Sequence, residues 1–170
     1  MDIKEKNDVI LTAVKEKFGF VPNLFRTLSI SPAVSDVYLK ANAAMEEASV
    51  SAQETHGVNL AVSVENGCKY CVAAHSVMCK MVGIEVDEID LIKQGKLPEE
   101  KTLAAAVKAA LLIMEKKGWL NDGELSELES QGVGRGKIYE IIALIGIKTI
   151  ANYVNHIGKT VIDDEFKEQA

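Results

Sequence analysis

The sequence predicts an all-α fold, and three observations carry that prediction. Apolar residues recur on a helical period, most plainly Leu103, Val107, Ala110, Leu111 and Met114. The alternation expected of a half-buried strand is nearly absent. Prolines and glycines fall where helices start and stop. In chain order, residues 4–18 read as a helix ending before Gly19, Pro22 opens a short helix, and Pro32 opens a longer one through residue 47. Ser51-Ala52-Gln53-Glu54 has the spacing of a capping box with Glu54 as its reciprocal acid. Asn66 and Gly67 are expected to start a helix that Gly83 stops. Asp87 then starts a short helix ended near Gly95, Pro98 a long one stopped by Gly118, and Asp122 one reaching Gln131; Gly134 precedes a final long helix toward Gly158.

At 170 residues and 48% hydrophobic content, the chain suits one domain with a sizeable interior. Gly95-Lys96-Leu97-Pro98 is the best internal boundary, but it is short enough to imply packed neighbours. The expected organisation is therefore one domain over 1–170, with N-terminal helices in 1–50, a central segment 51–83 and C-terminal helices in 84–170. A net charge of -6 without a basic stripe argues against nucleic acid as a partner. Residues 1–6 lack the apolar core of a signal peptide, and the apolar stretch 138–157 contains Glu140, Lys148, Asn152 and His156, so it reads as a core helix and not a membrane span. A cytoplasmic location is expected, where three cysteines do not suggest a structural disulfide framework. No phosphate-binding glycine loop appears; Gly132-Val133-Gly134-Arg135-Gly136 follows a helix and reads as a junction.

The chemistry is concentrated in the central segment. Cys68 and Cys71 form a C-x-x-C, and His75 follows four residues after the second cysteine. At about 100° per residue the three share one helix face, so a thiol and a potential base can meet. A helix start at Asn66 would put Cys68 in the first turn, where free backbone N–H groups favour a thiolate. Zinc is disfavoured because no second ligand pair exists, and Cys79 lies roughly 16 Å along the axis from Cys68. Cys79 is also about 12 Å from Cys71 along an intact helix, beyond disulfide reach, and reads as a small buried hydrophobe. No metal or cofactor is expected.

The run 60–75, Leu60-Ala61-Val62-Ser63-Val64-Glu65-Asn66-Gly67-Cys68-Lys69-Tyr70-Cys71-Val72-Ala73-Ala74-His75, resembles the core of the alkyl hydroperoxidase D and carboxymuconolactone decarboxylase family. Phe18-Gly19-Phe20-Val21-Pro22-Asn23-Leu24-Phe25 is similar to that family's opening segment, and Asn152-Tyr153-Val154-Asn155-His156 with Asp163 to the closing helix of its uncharacterised peroxidase-related branch. The resemblance implies an AhpD-like helical fold in an oligomeric bundle, often trimeric or hexameric. It also implies that Cys71 is the peroxidatic thiol, Cys68 the resolving thiol and proton donor, and His75 the relay base. Local physics alone nominates Cys68. The family's relay glutamate stands twelve residues before the first cysteine, a position held here by His56, while Glu54 is the nearest acid upstream. Residues two apart point about 200° away from each other on a helix, so the choice matters. The peroxidase-related branch favours Glu54, whose capping and relay roles are compatible. His56 reads as a partly exposed helix residue, Tyr70 as a packing aromatic that could also bond a sulfenate, His156 as a pocket or C-terminal residue, and Asp163, Asp164 and Glu165 as a solvated tail.

The leading expectation is a thiol-dependent peroxidase that reduces organic hydroperoxides through Cys68 and Cys71, with a His75/Glu54 proton relay. A small dithiol, a lipoylated protein or a thioredoxin-like protein would be the reductant. The alternatives are a disulfide oxidoreductase without efficient peroxide activity, a carboxymuconolactone decarboxylase-like enzyme, whose members generally lack the cysteine pair, and a non-catalytic oligomeric binding protein.

Overall fold

Helix α4 (Ala52–Glu65) lies at the centre and packs against α5 (Lys69–Met81), α6 (Val86–Lys93), α7 (Lys101–Lys116) and α9 (Arg135–Gly158). The computed structural model describes residues 3–169, without the side chains of residues 3–7, 13, 17 and 18. Before the centre come α1 (Ile3–Phe18), α2 (Asn23–Leu28) and α3 (Pro32–Met45); α8 (Asp122–Ser130) joins α7 to α9, and a 3-10 helix (Asp164–Gln169) closes the chain. Among the described residues there is no strand, and the fold is all-α as the periodicity predicts.

Local signals explain most boundaries. Ser51 caps α4 with both halves of the capping box formed: its hydroxyl accepts from Glu54 N at 3.1 Å, and the Glu54 carboxylate accepts from Ser51 N at 2.7 Å. The long helix expected from Pro98 begins later, at Lys101, because the Glu100 carboxylate caps it by accepting from Thr102 N and Leu103 N. Likewise Asn121, not Asp122, caps α8. Asn66 and Gly67 end α4 instead of starting α5: Asn66 is its C-cap, and Gly67 takes the left-handed φ of 68° that lets the chain reverse. Helix α5 therefore follows α4 as an antiparallel hairpin with Cys68 at its N-cap.

Close approach at the centre depends on Gly57, where a Cβ would lie 2.4 Å from Leu103 Cδ1. Leu60, Val58 and Val62 are fully buried there, each side chain contributing about 1.5–3 kcal/mol of burial. Helices α4 and α9 run parallel, since Glu54 meets Lys137 near their N-termini and Ser63 and Asn66 meet Asn152 farther along. The loop before α4 is tied to α9 by Glu140, whose carboxylate accepts from Ser49 N, Ser49 Oγ and Val50 N. Although α9 is long and apolar enough to cross a membrane, it is a core helix here: it buries Ile138, Ile141, Leu144, Ile147 and Ala151. Lys148, Asn152 and Asn155 lie among them on the same buried face.

Candidate active site

The hairpin turn sets the register of the thiols. With Cys68 at the N-cap, Cys71 becomes the third residue of α5 and the cysteine inside its first turn. The physics that nominated Cys68 assumed an earlier helix start; with the observed start, the same N-terminal field acts on Cys71. The two sulfurs are 2.8 Å apart, with the Cys68 thiol donating to Cys71, and both residues are buried at 1% and 2% exposure. That bond is the largest cause of an acid shift of Cys71 to about 6; burial opposes it, and the Lys148 charge, Asn155 and Asn152 assist. Asn155 Nδ2 donates to Cys71 Sγ at 3.2 Å. The Cys68 pKa is driven upward by its bond to Cys71, by burial and by the negative charge that Cys71 carries. The pair is thus one thiolate stabilised by one thiol.

His75 stands one turn beyond Cys71 on α5 but does not bond to it. Its Nε2 instead lies 2.5 Å from Nζ of Lys148 on α9. When Lys148 is an ammonium, Nε2 accepts and the ring proton sits on Nδ1, which has no partner among the described residues. Burial first, then the Lys148 charge and His56, push the His75 pKa well below the ordinary histidine value. The His56 ring is 5.7 Å from that of His75, and burial with the Lys148 charge brings its pKa down to about 4. Both imidazoles are neutral bases around one lysine.

The structure does not bring Glu54 to His75. One carboxylate oxygen of Glu54 accepts from Ser51 N in the cap, and the other meets Lys137 Nζ at 2.7 Å. His56, two residues on and hence on the opposite side of α4, is the residue that faces the motif histidine. Glu54 is held below the ordinary carboxylate range; burial opposes that shift but is outweighed by the Lys137 bond and the cap.

Tyr70 points away from the sulfurs. Its hydroxyl donates to Asp163 Oδ2 at 2.5 Å and accepts from Leu24 N at 3.2 Å, while Phe166 packs edge-on against its ring. Asp163 is therefore no solvated tail residue: it is 7% exposed and also accepts from Asn23 N. Its removal from water is compensated by these bonds, which tie the closing 3-10 helix to α2 and α5. His156 is exposed beside Tyr153, remote from the cluster. Cys79 is fully buried among apolar residues, and its thiol pKa is pushed up to about 12 by burial. Among the described residues no group of three or more His, Cys, Asp or Glu is arranged to hold a metal ion.

Sequence reasoning missed Lys148 as a site residue. The available signal was the spacing of Lys148, Asn152 and Asn155 at i, i+4 and i+7, one polar stripe inside an apolar helix.

The sequence model of the carboxymuconolactone decarboxylase family matches residues 32–116, from α3 through the dithiol to the end of α7. The chain belongs to that family. Among solved structures, an uncharacterised peroxidase-related protein from Silicibacter sp. TM1040 shares the fold at a TM-score of 0.84 and 17% identity, covering 97% of this chain and 88% of the other. An uncharacterised peroxidase-related protein with an alkylhydroperoxidase AhpD core, from Ralstonia eutropha JMP134, gives 0.84 at 22% identity, covering 98% and 91%. The debrominase Bmp8 gives 0.73 at 14% identity, covering 96% and 89%. No curated protein sequence matches the chain significantly. Within the family, then, this member has an AhpD-like all-α fold and a C-x-x-C helix wedged between α4 and α9.

Proposed function

We propose that this protein is a thiol-dependent peroxidase that reduces organic hydroperoxides through Cys68 and Cys71. The observation that carries the reading is the asymmetric pair: a low-pKa Cys71 bonded at 2.8 Å by a protonated Cys68. A peroxidase needs this division, because the attacking sulfur must be a thiolate while the resolving sulfur carries the proton. The Cys71 thiolate attacks one peroxide oxygen and breaks the O–O bond, becoming a sulfenic acid and releasing an alkoxide that takes up a proton. Cys68 then displaces water from the sulfenic acid to form the disulfide. A dithiol reopens it by thiol exchange. The resemblance favours a lipoylated protein as reductant, and burial of both sulfurs supports a slender dithiol arm over a broad thioredoxin-like surface.

Burial also favours this reading over exchange between protein disulfides, which requires a bulky partner to reach a sulfur. His75 belongs to the proton-handling cluster, with Glu54 supporting α4 through its cap and ion pair. The protein is expected to work in the cytoplasm as a trimer or hexamer. Exposed Ile30, Trp119 and Ile157, each at least 84% accessible, support further assembly.

The test is cumene hydroperoxide consumption with excess small dithiol, comparing wild type, Cys71→Ser and Cys68→Ser at matched folded concentration. Cys71→Ser is expected to abolish turnover, and Cys68→Ser to accumulate a trappable sulfenate on Cys71. Equal turnover in wild type and Cys71→Ser would overturn the assignment.

A further inference from the structure

Lys148 is 3% exposed, and among the described residues no carboxylate lies within 4 Å of it. An isolated buried ammonium costs several kcal/mol, so such a lysine needs a counter-charge or must lose its proton. Helix α4 offers His56, a base, and Glu54, which is committed to Lys137. Helix α5 offers His75, another base, Cys68, the thiol donor, and Cys71. Helix α9 offers the neutral amides of Asn152 and Asn155. Asp163 is occupied by Tyr70 and Asn23. Cys71 alone among these can supply the negative charge.

The geometry points to Lys148 as the counter-ion of the Cys71 thiolate and as the source of the proton that the site gives up when its dithiol is oxidised. This rests on the dithiol reading above. In the reduced site Cys68 is a thiol, Cys71 a thiolate and Lys148 an ammonium. Oxidation by a hydroperoxide ROOH forms the S–S bond and breaks the O–O bond, releasing ROH and water. The two product molecules hold three hydrogens: one from ROOH, one from the Cys68 thiol and one from Lys148. The site is left with a neutral disulfide and a neutral amine. The reducing dithiol returns two hydrogens, one to Cys68 and one to Lys148, restoring the ion pair. His75, accepting from Lys148, and His56 behind it stay neutral in both states and so do not compete for the charge.

The acid shift of Cys71 includes a contribution from the Lys148 charge, in keeping with this arrangement. Lys148 is a positioning and charge-balancing residue, and it is tested by readouts that a merely structural role would not move. In Lys148→Met the thiolate absorbance titration should rise from near 6 while staying below the ordinary thiol range, because the Cys68 bond, the largest cause of the low value, remains. A rise of about one unit would cut the thiolate fraction at pH 6 by about fivefold. Lys148→Arg should retain the low value. In wild type, nitrogen-15 NMR should show an exchange-protected ammonium assigned to Lys148 in the reduced protein that disappears on diamide oxidation, a measurement independent of how the variants fold. An unchanged titration in folded Lys148→Met, or a protected Lys148 ammonium that persists in the disulfide form, would overturn the role of Lys148 while leaving the dithiol intact. Failure of wild type to form a reversible Cys68–Cys71 disulfide would instead remove the dithiol reading, and this inference with it.

Discussion

Helix α9 carries two lysines, Lys137 and Lys148, eleven residues and so about three turns apart on one face, and they meet different partners. Lys137 meets the Glu54 carboxylate at 2.7 Å, and that pair is electrically closed. Lys148 meets a neutral imidazole at 2.5 Å, and among the described residues no carboxylate lies within 4 Å of it. The first lysine anchors α9 to the capped start of α4. The second leaves a field that a neighbouring thiol can use. Residue type and helix face are shared, so the partner decides whether a lysine on this face is scaffold or chemistry.

The sharpest way to break this contrast is His75→Glu, which would give Lys148 the kind of partner Lys137 already has. With its charge neutralised locally, Lys148 would cease to favour the thiolate. Alkylation of Cys71 by iodoacetamide at neutral pH is expected to fall by roughly two- to fivefold and to stay above the rate of an ordinary thiol, because the Cys68 bond still favours the thiolate. The reciprocal change, Lys137→Met, strands Glu54, whose side chain is only 4% exposed. Urea unfolding should show a loss of about 2–3 kcal/mol, tempered by the partial exposure of Lys137, with the Cys71 alkylation profile unmoved.

The two histidines separate the regions by pH. Their folded pKa values are depressed, so the unfolded chain takes up protons that the folded chain refuses. The stability they contribute is complete above the unfolded value near 6.5 and is lost as pH falls toward about 4. The slope is up to about 1.4 kcal/mol per pH unit for each histidine. Denaturant titrations across that window should show it, and His56→Gln should roughly halve it. The smallest expected effect is at the scaffold end: Ser51→Ala removes half of the capping box and should cost about 1 kcal/mol without altering thiol reactivity.

The scaffold half of this contrast was more legible in the sequence than the reactive half. Ser51, Glu54, Gly83 and Gly118 act through their own neighbours, and the elements they bound are found where local chemistry puts them. Asn66-Gly67 is ambiguous by the same chemistry, since these residue types suit both ends of a helix; only the tight hairpin shows that they close α4. Lys148 was visible as a polar interruption in an apolar helix, but its partners come from α5 and α4, far away in sequence. Asp163 likewise reads as a tail acid until Tyr70 and Asn23 are brought to it. The C-x-x-C and His75 could be named from spacing, whereas which groups surround them depended on the parallel packing of α4 and α9.

The most direct measurement is the pH profile of iodoacetamide labelling in the reduced wild-type protein, resolved by mass spectrometry at Cys68 and Cys71. Cys71 labelling with a midpoint near pH 6, and Cys68 labelled far more slowly throughout, is the predicted result. A Cys71 midpoint in the ordinary thiol range, or faster labelling of Cys68, would contradict a thiolate held at Cys71 by its neighbouring thiol and Lys148.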